Sequence, residues 1–85
     1  MKSETKNSMR HLFVTGDACP QLPLRILGIF ARVSAIPATF ECHLQGDSLE
    51  IFIEICGDNE LPFARLDHQI EKLIGVREVR LDSET

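Results

Sequence analysis

Three cysteines, three histidines and a proline-rich corner are the residues of this chain whose types could do chemistry. Cys19 stands in Cys-Pro-Gln-Leu-Pro, directly ahead of an apolar helical pattern. A thiol beside a helix N-terminus has its pKa lowered, which is the setting of a nucleophile or redox centre. Such a role needs a neighbouring base. None is adjacent, so Cys19 reads as an ordinary turn cysteine. Cys19, Cys42 and Cys56 are odd in number and widely spaced, without the CxxC pair of a structural zinc site. They read as reduced thiols in a cytoplasmic protein. His43 and Glu41 share one strand face, and His11 would join them if it points outward with Phe13. That set could hold a metal, although solvated side chains on a sheet face are the plainer reading. His68 with Glu71 and Lys72 reads as exposed helix surface, and Arg25 with Arg32 as a solvated stripe. No paired acid and base stands out, so the expectation is a non-enzyme without metal or cofactor.

The totals bound the rest. Eighty-five residues make one domain at most, with a modest core. A composition 44% apolar is that of a packed chain. The net charge of −4, with five Phe and no Trp or Tyr, excludes the basic, base-stacking surface that nucleic acid needs. No apolar run reaches the roughly 20 residues of a membrane span. The start, Met-Lys-Ser-Glu-Thr-Lys-Asn-Ser-Met-Arg, lacks the apolar stretch of a secretory signal. Residues 1–10 read as a mobile polar tail, 11–81 as the domain and 82–85 as a frayed end.

The elements that would position these residues follow from periodicity. His11 to Thr15 is β-rich and ends at the turn signal Gly16-Asp17. From Leu24 to Ser34 the pattern is helical, with Arg25, Gly28 and Arg32 on one polar stripe and Pro23 in the first turn. A helix apolar around most of its girth has more than one surface to bury, and a second subunit is the natural cover. Phe40, Cys42 and Leu44 then alternate with Thr39, Glu41 and His43, as in a half-buried strand. Gln45-Gly46-Asp47 makes a hairpin turn, after which Leu49, Ile51, Ile53 and Ile55 point one way and Glu50, Phe52 and Glu54 the other. Asp58 or Asn59 would cap the second helix, with Pro62 in its first turn. Phe63, Leu66, Ile70 and Leu73 form its apolar stripe, widened by Ile74, and Gly75 takes a left-handed position at its end. Val76 to Leu81 is the last strand.

This order predicts an α+β, ferredoxin-like βαββαβ two-layer sandwich, with a four-stranded antiparallel sheet and both helices on one face. The strand order would be 4-1-3-2. A short edge strand beside an over-apolar first helix predicts a two-fold dimer through the second strand, with Ile29, Val33, Ile36, Phe40 and Cys42 at the interface.

The run Pro-Gln-Leu-Pro-Leu-Arg-Ile-Leu-Gly-Ile-Phe-Ala-Arg-Val-Ser-Ala-Ile-Pro-Ala-Thr-Phe-Glu (20 to 41) resembles the first half of an ACT domain. The likeness is strongest to the acetolactate synthase small (regulatory) subunit. Pro20, Arg25, Ile26, Gly28, Phe30 and Arg32 fall in register with that family, and Ile70, Leu73, Val76 and Val79 match its closing helix and strand. The resemblance implies a module that binds a free amino acid where two subunits meet and adjusts a large catalytic partner subunit. It places a carboxylate or amino-acid ligand against the start of the first helix, at Asp17, Ala18, Cys19, Gln21 and Leu22, with Ile36 at the position of the family's ligand-binding asparagine. The family's glycine after Pro20 is Gln21 here, its leucine two further on is Pro23, and its Gly-Tyr-Asn-Ile turn is Ser34-Ala35-Ile36-Pro37. Asp17 could cap the helix-entry turn and, as an anion, would repel a carboxylate. Two readings therefore stand: a homodimeric amino-acid-sensing module, and a ligand-free dimerisation or protein-interaction module. Acylphosphatases and metallochaperones share the topology, but this chain has neither a phosphate-cradling loop nor a CxxC.

Overall fold

The computed structural model describes residues 8–57 and 63–84. The elements are β1 (Ser8–Asp17), α1 (Gln21–Arg32), β2 (Thr39–Gln45), β3 (Ser48–Gly57), α2 (Phe63–Glu71) and β4 (Val76–Glu84). They form one antiparallel sheet in the order β2-β3-β1-β4, as the alternation and crossover rules require. The caps expected at Asp58 or Asn59, Pro62 in the first turn and the Phe63 side chain lie outside what is described.

Two neighbouring strands, β1 and β4, run longer than their apolar alternation. β1 starts at Ser8 rather than His11, because Ser8, Met9 and Arg10 pair with Gly57, Cys56 and Ile55 of β3. β4 likewise continues past Leu81, with Asp82, Ser83 and Glu84 paired to His11, Arg10 and Met9. Residues expected to fray at 82–84 are held by the ladder, whose backbone hydrogen bonds are indifferent to side-chain polarity.

The core lies between sheet and helices. Leu12 and Val14 of β1, Leu49, Ile51, Ile53 and Ile55 of β3, Leu22, Ile26, Ile29 and Phe30 of α1, and Leu66 and Ile70 of α2 are buried. Each such side chain stabilises the fold by about 1.5–3 kcal/mol through removal from water. Ile74 does not widen the α2 stripe: it sits in the turn beyond the helix and is 84% exposed. Gly75 does take a positive φ of 99°, in the same turn.

Helix α1 begins at Gln21, so Pro23 does fall in its first turn, where an absent N–H costs nothing. Its end is a Schellman closure. The Ser34 N–H donates to the Ala31 carbonyl at 3.1 Å, and the Ala35 N–H to the Phe30 carbonyl at 2.9 Å. Ser34 holds the left-handed position with φ 60°, a conformation that suits glycine. In the hairpin, Gly46 (φ 61°) is the first of two residues between Gln45 and Ser48, where a type II′ turn needs glycine.

Candidate functional site

The start of α1, the hairpin and the end of β4 meet at one corner. Gly16 sits there without room for a side chain: a Cβ would lie 2.6 Å from the Gly75 carbonyl oxygen and 2.7 Å from a Leu22 methyl. The next residue ties the corner together. The Asp17 N–H donates to the Gly75 carbonyl at 2.8 Å, and the Ala18 N–H to the Asp47 carbonyl at 3.1 Å. The β4 ladder shifts register opposite Gly16, which brings Arg77 across the corner. Its Nε and Nη2 donate to Asp17 Oδ1 at 2.9 and 2.7 Å, and its Nη1 to Ser48 Oγ at 3.0 Å.

This geometry changes two expectations for Asp17. No side chain caps α1, so Asp17 is not its cap. Its charge is matched by the Arg77 guanidinium, which weakens the repulsion a carboxylate ligand would otherwise meet. Gln21 is engaged within the helix, accepting from Arg25 Nη2 at 3.0 Å. Leu22, expected to touch ligand, turns inward and is 1% exposed. It serves the core and is unavailable to a site.

What remains at the corner is an apolar groove of about 320 Å³, walled by Ala18, Cys19, Pro20 and Pro23 on one side and Leu44, Gly46 and Leu49 on the other. It exists because α1 leaves β2 half-bare. Phe40, Cys42 and Leu44 face the helix layer by register, yet Leu44 is 68% exposed and Cys42 is exposed. Partial burial still pushes the Cys42 thiol pKa up, away from reactivity.

The expected interface residues divide in the same way. Ile29 is buried in the chain's own core, so its side chain cannot meet a partner. Val33 and Phe40 are half-buried against that core. Ile36, at 86% exposure, and Cys42 are open. Ile36 follows the C-terminal end of α1, whose twelve residues put it about 18 Å from the groove end of the same helix. Within one chain it cannot line the groove.

The other sheet face bears His11 and His43. His11 Nε2 lies 3.1 Å from Glu54 Oε2, while Thr39 donates to Glu54 Oε1 at 2.7 Å. The Thr39 hydroxyl first, and then His11, hold the Glu54 pKa below the ordinary glutamate value against an opposing desolvation. His43 pairs instead with Glu41 at 3.3 Å. His11 and His43 thus take separate carboxylates, and among the described residues no three ligands converge on a metal position. His68 faces Glu71 at 3.9 Å on the exposed side of α2. A row of rings crosses the middle strands: His11 stacks on Phe52 at 5.5 Å, Phe52 meets Phe13 at 5.1 Å, and the Arg80 guanidinium lies 4.8 Å over Phe13. Alternation alone places Phe13 and Phe52 here. The Arg80 contact depends on the β1–β4 register, which no local pattern announces.

The strand order and the two helices make the ferredoxin-like βαββαβ architecture in the form ACT domains take. The ACT domain of GTP pyrophosphokinase from Chlorobium tepidum superposes with a TM-score of 0.76 at 14% identity, over 91% of this chain and 100% of that one. The C-terminal domain of the MgtC protein from Mycobacterium tuberculosis gives 0.77 at 14%, over 98% and 94%. A glycine cleavage system transcriptional repressor gives 0.74 at 16%, over 99% of this chain and 51% of that one. At these identities the likeness is one of fold. No family profile and no curated protein sequence matches the chain. Among the described residues no helix is long and apolar enough to cross a membrane.

Proposed function

We propose that the chain is a regulatory module of the ACT type, working as a two-fold homodimer whose subunits join through β2 and hold a small apolar amino acid at the junction. The observation that carries this reading is the half-bare β2 beside the open groove at the start of α1. β2 is an edge strand with few charges, whereas the other edge, β4, carries Arg77, Glu78, Arg80 and Asp82, the usual protection against pairing. An antiparallel β2–β2 ladder centred on Cys42 would set Thr39 opposite Gln45 of the partner subunit. Ile36 of the partner subunit would then approach the groove that its own chain cannot reach. A branched apolar side chain fits the proline and leucine walls, and the ligand carboxylate would face the uncapped helix start beside Arg77. Ligand preference for one dimer arrangement would supply the regulation. A large enzyme subunit, of the acetolactate synthase kind or another biosynthetic enzyme, would read it out in the cytoplasm.

One specific pair of observations favours a second reading, a dimerisation module without ligand. Gln21 is tied to Arg25, and Ile36 replaces an amide by an apolar group. A ¹⁵N NMR titration with free amino acids, branched-chain ones included, decides between them. Saturable shifts at residues 16–24 and 36–42 are the expected result. A silent spectrum from a folded dimer would establish the second reading.

A further inference from the structure

We infer that the open face of the sheet, opposite the helices, is a docking surface for a basic, apolar polypeptide segment that presents arginines. The inference is independent of the amino-acid groove, which lies on the helix side.

Register assigns this face His11, Phe13 and Thr15 of β1, Glu41 and His43 of β2, Glu50, Phe52 and Glu54 of β3, and Glu78, Arg80 and Asp82 of β4. Its centre is the half-buried pair Phe13 and Phe52, and a shallow cavity of about 330 Å³ opens over them, bordered by His43, Glu50, Glu78 and Arg80. A ring face attracts a cation, and a guanidinium does so while lying flat. This surface already holds one: Arg80 lies over Phe13 at 4.8 Å. His11 stacks on Phe52 with planes 25° apart, and Phe52 leans at 42° to Phe13, so the three rings make an aromatic ridge rather than a flat plate.

Charge selects the occupant. Glu41, Glu50, Glu54, Glu78 and Asp82 ring the aromatic centre against Arg80, and Arg77 at the hairpin end of the sheet is matched by Asp17. A second copy laid face to face would bring like charges together, and nucleic acid would bring phosphates. A cationic partner is the complementary one, and arginine can meet ring and carboxylate at once. Size selects a segment over a domain. Four strands about 4.8 Å apart, of seven to ten residues each at about 3.4 Å per residue, present on the order of 600 Å². That is below the roughly 800 Å² per side of a stable domain interface, and it suits one extended chain or one helix.

The test uses the full chain and an acetylated, amidated heptapeptide alternating arginine and leucine, followed by ¹⁵N NMR. Lysine–leucine and glutamate–leucine peptides of equal length serve as comparisons. Saturable shifts confined to residues 11–13, 50–54 and 78–82 are expected with the arginine peptide, weaker by about tenfold with lysine and absent with glutamate. Phe52→Ser should remove binding. Glu50→Lys with Glu78→Lys, both at exposed positions, should do the same without touching the rings. No saturation with the arginine peptide would overturn the inference. So would equal binding of the lysine or glutamate peptide, which would mean general charge attraction or apolar adhesion. Shifts at these residues on simple concentration of the protein would assign the face to a second copy and overturn it too. None of these results depends on whether an amino acid occupies the groove.

Discussion

Ser34 occupies a backbone conformation that costs a side-chain-bearing residue about 1 kcal/mol, and it is held there by the two hydrogen bonds that close α1. Ser34→Gly should therefore raise stability by about 0.5–1 kcal/mol, read as a higher urea midpoint at unchanged slope. Gly16 is the converse case. Gly16→Ala drives a methyl group into the Gly75 carbonyl and the Leu22 side chain and should cost about 1–3 kcal/mol. At Glu54 the sign follows from linkage. Its native pKa lies below the unfolded one, so its contribution is complete above about pH 4.3 and is lost as pH falls through the native value. Thr39→Val removes the largest cause of that lowering. The Glu54 carboxyl, followed by ¹³C NMR, should then titrate at higher pH than in the parent, and an unchanged titration would refute the assignment. Legibility at this scale was uneven. Leu12, Ile51 and Ile53 announce their burial by alternation. The Arg77–Asp17 pair spans 60 residues and depends on a register shift, so neither residue's neighbours reveal it.

At the scale of elements the chain speaks plainly in order and vaguely at its ends. Period two in 39–55 and period near 3.6 in 24–34 and 63–73 specify strand and helix because each buries one face. Strand ends escape that logic, since backbone pairing recruits whatever residues lie opposite an existing strand. Asp82 and Ser83 look like a polar tail, yet they pair with His11 and Arg10. Deleting residues 82–85 should consequently destabilise, where a loose end would be lost without effect. The expected loss is about 1–2 kcal/mol, a fall in Tm of roughly 5–15 °C for a domain of this size by calorimetry. An unchanged Tm would show that these pairings contribute nothing in solution. The opening corner is also an element-scale feature. Two prolines admit the chain to α1, and Pro20 and Pro23 then serve as groove wall. Their spacing predicts the entry. The groove itself arises from how little of β2 the helix covers, which is decided by tertiary packing rather than by any one residue type.

For the whole molecule the central question is why so small a chain leaves Leu24, Leu27, Ile36 and Leu44 in water while thirteen apolar residues among those described are buried in its core. A chain of 85 residues buries a modest share of its surface, and the exposed apolar groups beside the β2 edge are those that the proposed pairing would cover. Pairing through β2 would cover Leu44 and Cys42 and bring Ile36 into contact, so the dimer should be a large part of the molecule's stability. Two consequences follow. Tm should rise with protein concentration, as it must when the folded species is associated and the unfolded one is not. Ile36→Arg should give a folded monomer by sedimentation, with α1 and sheet intact by circular dichroism, because the replaced side chain is 86% exposed. Phe40→Arg is the weaker probe, since Phe40 packs on the core and its loss would confuse dissociation with unfolding. If Ile36→Arg remains dimeric and Tm is independent of concentration, the β2 edge is not the joint. The bare side of α1 and β2 would then belong to a larger partner rather than to a second copy.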